Sequence, residues 1–368
     1  MKCILAYEEI DFSRPYASPC CHIMPDDPAM NIKNITNLNK LLDSEVYSFI
    51  REKMDQDKKD PICKVCWNEE SRGIISDRVL ENHIREKRNT VELRSLKIAL
   101  DYTCNMMCRI CTPMLSSKWG SSNLADTSLK NYEDYSIKYP KYDIKNIIEN
   151  SDLSKLERIK ILGGEPFYSK KLEWFLDYLQ SNTNYNDLRI YIVTNGSVFP
   201  KPDILKKLLQ SKSLHIEFSL DAVGEQTQLC RWGVDWKQID TNIQKWIALK
   251  NKKIKTSAHC TLSIYNCNLM QPLVDYCQQN NIFLHVNKLR HPNHLSIDMI
   301  DNDTRKKWIL EGKTTIEKTV NKVILNKESV INNSKDRFLY FNKILDDFQK
   351  VKLKDLNKEI YEYFYTKG

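Results

Sequence analysis

The stretch DYTCNMMCRICTP carries Cys104, Cys108 and Cys111 at a C-x3-C-x2-C spacing. Two thiols suffice for a disulfide, and four close a zinc site. A four-iron, four-sulfide cluster takes four thiolates, one per iron, so three would hold it and leave one iron open to a small molecule. A zinc site or three unconnected thiols is the alternative that the spacing alone leaves standing.

Eight of the twelve cysteines precede residue 112: these three together with Cys3, Cys20, Cys21, Cys63 and Cys66. In a reducing compartment clustered thiols serve as metal ligands or catalytic groups more often than as disulfides. PICKVCW supplies the C-x2-C pair Cys63 and Cys66, and SPCC supplies Cys20 and Cys21. With Cys3 these are enough for a second complete cysteine site. A structural zinc, with His22 among its ligands, or a redox dithiol fits the same residues. Cys230, Cys260, Cys267 and Cys277 are scattered and are expected to be buried, inert thiols.

The elements that must position these groups are legible from about Ser95 to Lys288. Six β-rich runs, LKIALDY, RIKILGG, LRIYIVTNG, LHIEFSLDA, KTSAHCTLSIY and NIFLHVNKL, alternate with amphipathic helical patterns. The fold class expected is α/β, a partial (β/α)6 barrel, in which chemistry gathers in the loops after the carboxyl ends of the strands. Cys104, Cys108 and Cys111 fall in the loop after the first run. The second run ends in GGEP, where Gly163 and Gly164 allow close backbone approach and Glu165 offers an acceptor to an ammonium. The third ends in TNG around Asn195. In the fourth, Ser219 and Asp221 are two apart and share a face. The fifth places His259, Thr261 and Ser263 on one face with Asn266 beyond. His259 is a weak substrate-site candidate, since a lone strand histidine is more often core. His291 and His294 lie past the last run, near the expected barrel mouth, with no role assigned.

Three segments are expected: a cysteine-rich N-terminal module at 1–90, the barrel at 91–290, and a helical C-terminal extension at 291–368. A length of 368 residues suits one α/β barrel with additions at its ends. No run approaches the roughly 18 apolar residues of a spanning helix, and MKCILAYEEIDF lacks a secretory pattern, so the expected location is the cytoplasm. The net charge of +8, from 56 basic and 48 acidic residues, is spread thinly. It permits RNA or a phosphorylated substrate as partner and selects neither.

In order and placement these motifs resemble the radical S-adenosylmethionine (SAM) superfamily. The resemblance implies a [4Fe-4S] cluster on Cys104, Cys108 and Cys111 whose open iron is chelated by SAM's methionine, and reductive cleavage of SAM to a 5′-deoxyadenosyl radical that abstracts hydrogen. It implies SAM contacts at Gly163, Gly164, Glu165, Asn195, Ser219 and Asp221, with Arg231 in LCRWG as a cation near SAM or a surface salt bridge. Ile110 departs from the family, which commonly carries an aromatic residue there beside the adenine.

The N-terminal cysteines resemble the region of twitch or SPASM-like radical SAM proteins that holds an auxiliary cluster. That resemblance implies a second [4Fe-4S] cluster, with zinc as the alternative, on Cys3, Cys20, Cys63 and Cys66; Cys21 is the substitute for Cys20. The expected substrate is a peptide, amino acid or small metabolite, with an electron donor such as flavodoxin or ferredoxin and no membrane partner. RNA modification is the alternative, suggested by the aromatics among lysines in DRFLYFNKILDDFQKVKLKDLNKEIYEYFYTK. A zinc-stabilised binding protein that has lost catalysis is the reading from another class, and the intact cysteine motif and Glu165 argue against it.

Overall fold

Alternation along the strands decides which face each buries. In RIKIL, RIYIVT and SLHIEFS every second residue is a bulky apolar side chain: Ile159 and Ile161, Ile190 and Ile192, Leu214, Ile216 and Phe218. All seven are at most 2% exposed, and burying each stabilises by about 1.5–3 kcal/mol. The intervening positions hold Lys160, Tyr191, His215 and Glu217, so one face of the sheet is apolar and the other polar.

A computed structural model describes residues 2–23, 30–73, 75–86, 88, 90–136, 142–326 and 334–366. Seven strands form one all-parallel sheet in chain order: β1 (Glu9–Phe12), β2 (Ser95–Ala99), β3 (Arg158–Leu162), β4 (Arg189–Thr194), β5 (Ser213–Ser219), β6 (Ile254–Leu262) and β7 (Phe283–Lys288). β1 and β7 are the two edges, so the barrel is open. The α/β expectation holds, and the six expected runs are β2–β7. The seventh strand was missed because EIDF is four residues long and half acidic. It pairs in parallel with β2, Glu9 opposite Ser95 and Phe12 opposite Ile98; both its carboxylates are buried, Glu9 against Arg85 and Lys97 and Asp11 accepting from Ser13.

Helices of eight or more residues are numbered in order. Before the second strand come α1 (Glu45–Asp55), α2 (Lys64–Ser71) and α3 (Asp77–Ile84). The crossovers hold α4 (Lys171–Asn182), α5 (Pro202–Gln210), α6 (Trp236–Ala248) and α7 (Met270–Gln279). Their apolar stripes lie on the sheet's apolar face; α6 buries Ile239, Ile243 and Trp246 at a spacing of four and three. Pro202 opens α5, where its missing N–H costs nothing. The C-terminal region is helical, with α8 (Thr315–Leu325), α9 (Ser334–Gln349) and α10 (Lys358–Tyr365). No described helix is long and apolar enough to cross a membrane. His294 does not line the barrel mouth: it is 1% exposed and packs edge-on against Tyr132 and Phe341.

Candidate active site

Cys104, Cys108 and Cys111 sit on the loop after β2, at the carboxyl end of the sheet. All are free thiols, Cys108 buried and the other two partly exposed. The loop has its shape because other segments satisfy its backbone. The N–H groups of Met107 and Arg109 donate to the carbonyls of Trp232 and Cys230, at 2.9 and 3.0 Å. Trp119 Nε1 donates to the Cys108 carbonyl at 2.8 Å. Burial pushes all three thiols up, Cys111 to about 12, and the Arg231 guanidinium opposes it at each.

The GGEP turn packs directly under this loop. A Cβ on Gly163 would lie 2.4 Å from Ala99 Cβ, and one on Gly164 would lie 2.3 Å from the Thr103 carbonyl, with φ at +83° and +49°. Both positions therefore exclude any side chain. Glu165 is fully buried and its N–H donates to the Thr103 carbonyl at 2.9 Å. Its carboxylate accepts from Phe167 N–H at 3.1 Å, Thr194 Oγ1 at 2.8 Å and Asn195 N–H at 2.6 Å. Three of roughly four lone-pair directions are thus used. Burial pushes its carboxyl up to about 7 in spite of those donors. Asn195 Nδ2 donates to Asn105 Oδ1 at 3.1 Å and lies 3.9 Å from Cys104 Sγ.

Beyond β5, Asp221 is 1% exposed and pairs with Arg231 at 2.7 Å; its other oxygen accepts from Thr261 N–H at 2.8 Å. Arg231 is therefore in a buried ion pair, and the surface-bridge alternative does not apply. Ser219 ends β5 opposite His259. Ser263, expected on the His259 face, is instead fully buried, as is Asn266 beyond it. Asn266 Nδ2 donates to the Asp221 carbonyl at 2.9 Å and so fixes the end of β6 against that loop. His259 remains on the polar face, 3.0 Å from Asn287 Nδ2, and burial lowers its basicity.

Cys3, Cys20, Cys63 and Cys66 line one pocket with Ile23, Ile50 and Met54, and burial raises all four, Cys3 to about 11 and Cys63 to about 12. Cys21 faces elsewhere: its sulfur and the ligand atoms of His22 and Asp77 lie within 4.8 Å of one another.

The radical SAM superfamily model matches residues 100–264, the span from the cysteine loop to the end of β6. Residues 100–264 are a radical SAM domain. The chain is 22% identical over 233 residues to a probable GTP 3′,8-cyclase of Methanococcus aeolicus, covering 62% of this chain and 71% of that one. A GTP 3′,8-cyclase of Aliarcobacter butzleri is 26% identical over 132 residues, 36% of each chain. Among solved structures it is similar to native anSMEcpe with bound AdoMet (TM-score 0.40, 18% identity, 72% of this chain and 62% of that one) and to Streptococcus suis SuiB bound to S-adenosylmethionine (TM-score 0.37, 15% identity, 67% and 56%). The chain thus spans less than two thirds of the second cyclase and of both solved chains.

The radical SAM family binds a [4Fe-4S] cluster and SAM, and the donor set of this domain fits them. Three uncrosslinked thiols share a loop beside one guanidinium, which offsets the negative charge of thiolate ligation. Motif matching missed Arg109, between the second and third cysteines. It is fully buried and donates to Gln349 Oε1 at 2.9 Å, Asn342 Oδ1 at 2.9 Å and Asp346 at 2.8 Å, all on α9. Gln349 returns a bond from Nε2 to the Met107 carbonyl at 2.9 Å. The signal available in the sequence was a charged residue inside the motif, but its partners are more than 230 positions away.

Proposed function

We propose that this enzyme cleaves SAM reductively at a [4Fe-4S] cluster held by Cys104, Cys108 and Cys111, and abstracts hydrogen from a peptide, amino acid or small metabolite. The observation that carries this is the packing of the three-thiol loop on the side-chain-free Gly163–Gly164 turn, with Arg231 beside the thiols. When bound, cluster and SAM supply a 5′-deoxyadenosyl radical. The chain's own residues hold and orient: Gly163 and Gly164 admit the backbone close to SAM's methionine, and Glu165 fixes the TNG loop through Thr194 and Asn195. Asp221 holds Arg231 toward the cysteines, and Ser219 and Asn195 offer polar contacts to SAM. We assign Cys3, Cys20, Cys63 and Cys66, within an N-terminal module at 1–90, to an auxiliary [4Fe-4S] cluster in a cytoplasmic enzyme reduced by a flavodoxin or ferredoxin.

Iron and acid-labile sulfide per chain after anaerobic reconstitution test this. About eight irons should fall to about four when Cys104, Cys108 and Cys111 are all changed to Ala. About four falling to none, with zinc retained, would make the N-terminal thiols structural. No iron in either protein would overturn the assignment of both sites.

A further inference from the structure

The polar face of the sheet opens, at the amino-terminal ends of the strands, into a cavity of about 730 Å³. This is the side away from the cysteine loop. Arg158 begins β3, Arg189 begins β4, and Lys252 and Lys255 flank the start of β6; all four line the cavity, with Tyr191 and His215 deeper in. Other cations that reach it are neutralised. Lys97 pairs with Glu9 at 2.7 Å, and Arg85 with Glu8, Glu9 and Glu81. Among the described residues, the side chains of Arg158, Arg189, Lys252 and Lys255 have neither an ion pair nor a hydrogen bond.

Four cations without a direct partner converge on one concavity, only partly offset by nearby carboxylates such as Glu8 and Glu157, and an anion among them would relieve their mutual repulsion. At Arg158 burial, then the like charges of Arg85 and Arg189, hold the guanidinium below the ordinary value against the pull of Glu8 and Glu157. The volume is that of a small-molecule site, about 300–1,000 Å³, and a concave pocket is not the stripe that tracks a nucleic-acid backbone. Two guanidinium forks fit phosphoryl oxygens in bidentate fashion, and four charges suit a multiply charged anion better than a single carboxylate. A second cavity along β6 and β7 shares Asp77, Lys160 and Tyr191 with this one and continues past Glu217 and His259. From Arg158 to the carboxyl end of β3 is about 13 Å, four strand residues.

We propose that the amino-terminal mouth of the barrel binds the phosphoryl groups of a phosphorylated small-molecule substrate, whose other end extends along the polar face toward the cysteine loop. The destination of that far end rests on the radical SAM function proposed above; the anion site does not. The site makes Arg158 and Arg189 specificity-determining residues and sets the substrate's direction, charged end away from the radical source.

The test is calorimetric titration of the reconstituted enzyme with inorganic triphosphate, and separately with citrate. Saturable triphosphate binding is expected, weakened at least tenfold in Arg158→Ala/Arg189→Ala and by less in Arg158→Lys/Arg189→Lys, which keeps the charge, loses the forks and controls for folding. Lys206→Ala, an exposed lysine on α5, should leave binding unchanged. No triphosphate binding to the parent enzyme, equal binding by the alanine pair, or citrate binding as tight as triphosphate would each overturn the proposal. SAM cleavage to 5′-deoxyadenosine is measured on the same samples. Cleavage without triphosphate binding removes the anion site alone, whereas triphosphate binding without cleavage upholds the anion site and faults the radical SAM function.

Discussion

Glu165 shows how a motif residue can be recognised for one reason and positioned for another. The sequence offered it as an acceptor for an ammonium, whereas in the fold its carboxylate accepts from Phe167, Thr194 and Asn195, the last two at the carboxyl end of β4. Burial raises its carboxyl from 4.5 to about 7. A carboxyl raised in the fold binds protons that the unfolded chain has released, so stability falls as pH rises from 4.5 through 7. The loss integrates to about 3 kcal/mol. Glu165→Gln should flatten this part of the pH profile, read as the thermal midpoint at pH 5 against pH 7.5 under anaerobic conditions; an unchanged slope would remove Glu165 as its source. Gly164 gives a sharper steric prediction. An alanine Cβ would meet the Thr103 carbonyl at 2.3 Å with φ at +49°, so Gly164→Ala should cost about 1–3 kcal/mol by overpacking. It should also lower iron retention, because the atom displaced belongs to the cysteine loop.

At the scale of elements, α9 clamps that loop. Its buried positions Phe338, Phe341, Asn342, Leu345 and Gln349 follow helical periodicity, and the two polar members are there for Arg109 and the Met107 carbonyl. The lysine and aromatic pattern of this segment, which suggested an RNA-binding surface, is thus divided between a buried stripe and a solvated face. Arg109→Ala would leave Asp346 facing the loop without its cation and strip partners from buried Asn342 and Gln349. Breaking a buried pair in this way costs about 3–5 kcal/mol. The expected outcome is a lower melting temperature together with faster iron loss from the Cys104, Cys108 and Cys111 site, monitored by the decay of visible absorbance in the presence of a chelator. Arg109→Lys should not restore it, since one ammonium cannot reproduce a fork that meets several acceptors. Loss of stability with unchanged iron retention would reduce α9 to ordinary packing.

At the scale of the molecule, what was legible followed from local pattern. Alternation and strand-end motifs gave six strands and the loops around Cys104, Glu165, Asn195 and Asp221, because each depends on residues a few positions apart. β1, the buried setting of Ser263 and Asn266, and the Arg109 clamp were not legible, since each is decided by partners distant in sequence. β1 is the clearest case, for its polarity makes sense only beside Arg85 and Lys97. Glu9 is fully buried, yet against the cost of burial Lys97 and Arg85 hold its carboxyl down at about 2. A depressed carboxyl contributes stability above its unfolded value of 4.5 that is lost as pH falls through 2. Arg85, carried just past α3, therefore ties the N-terminal segment to the edge of the sheet by charge, in addition to the backbone pairing of β1 with β2. Arg85→Ala should leave Glu8 and Glu9 buried with Lys97 alone, costing about 3–5 kcal/mol at pH 7. The deficit should shrink as pH falls below 4.5, where Glu9 in the variant can take up a proton and no longer needs a partner. Chemical denaturation of parent and variant at pH 7 and pH 3.5 measures this, and a deficit independent of pH would show that Arg85 acts through packing rather than through Glu9.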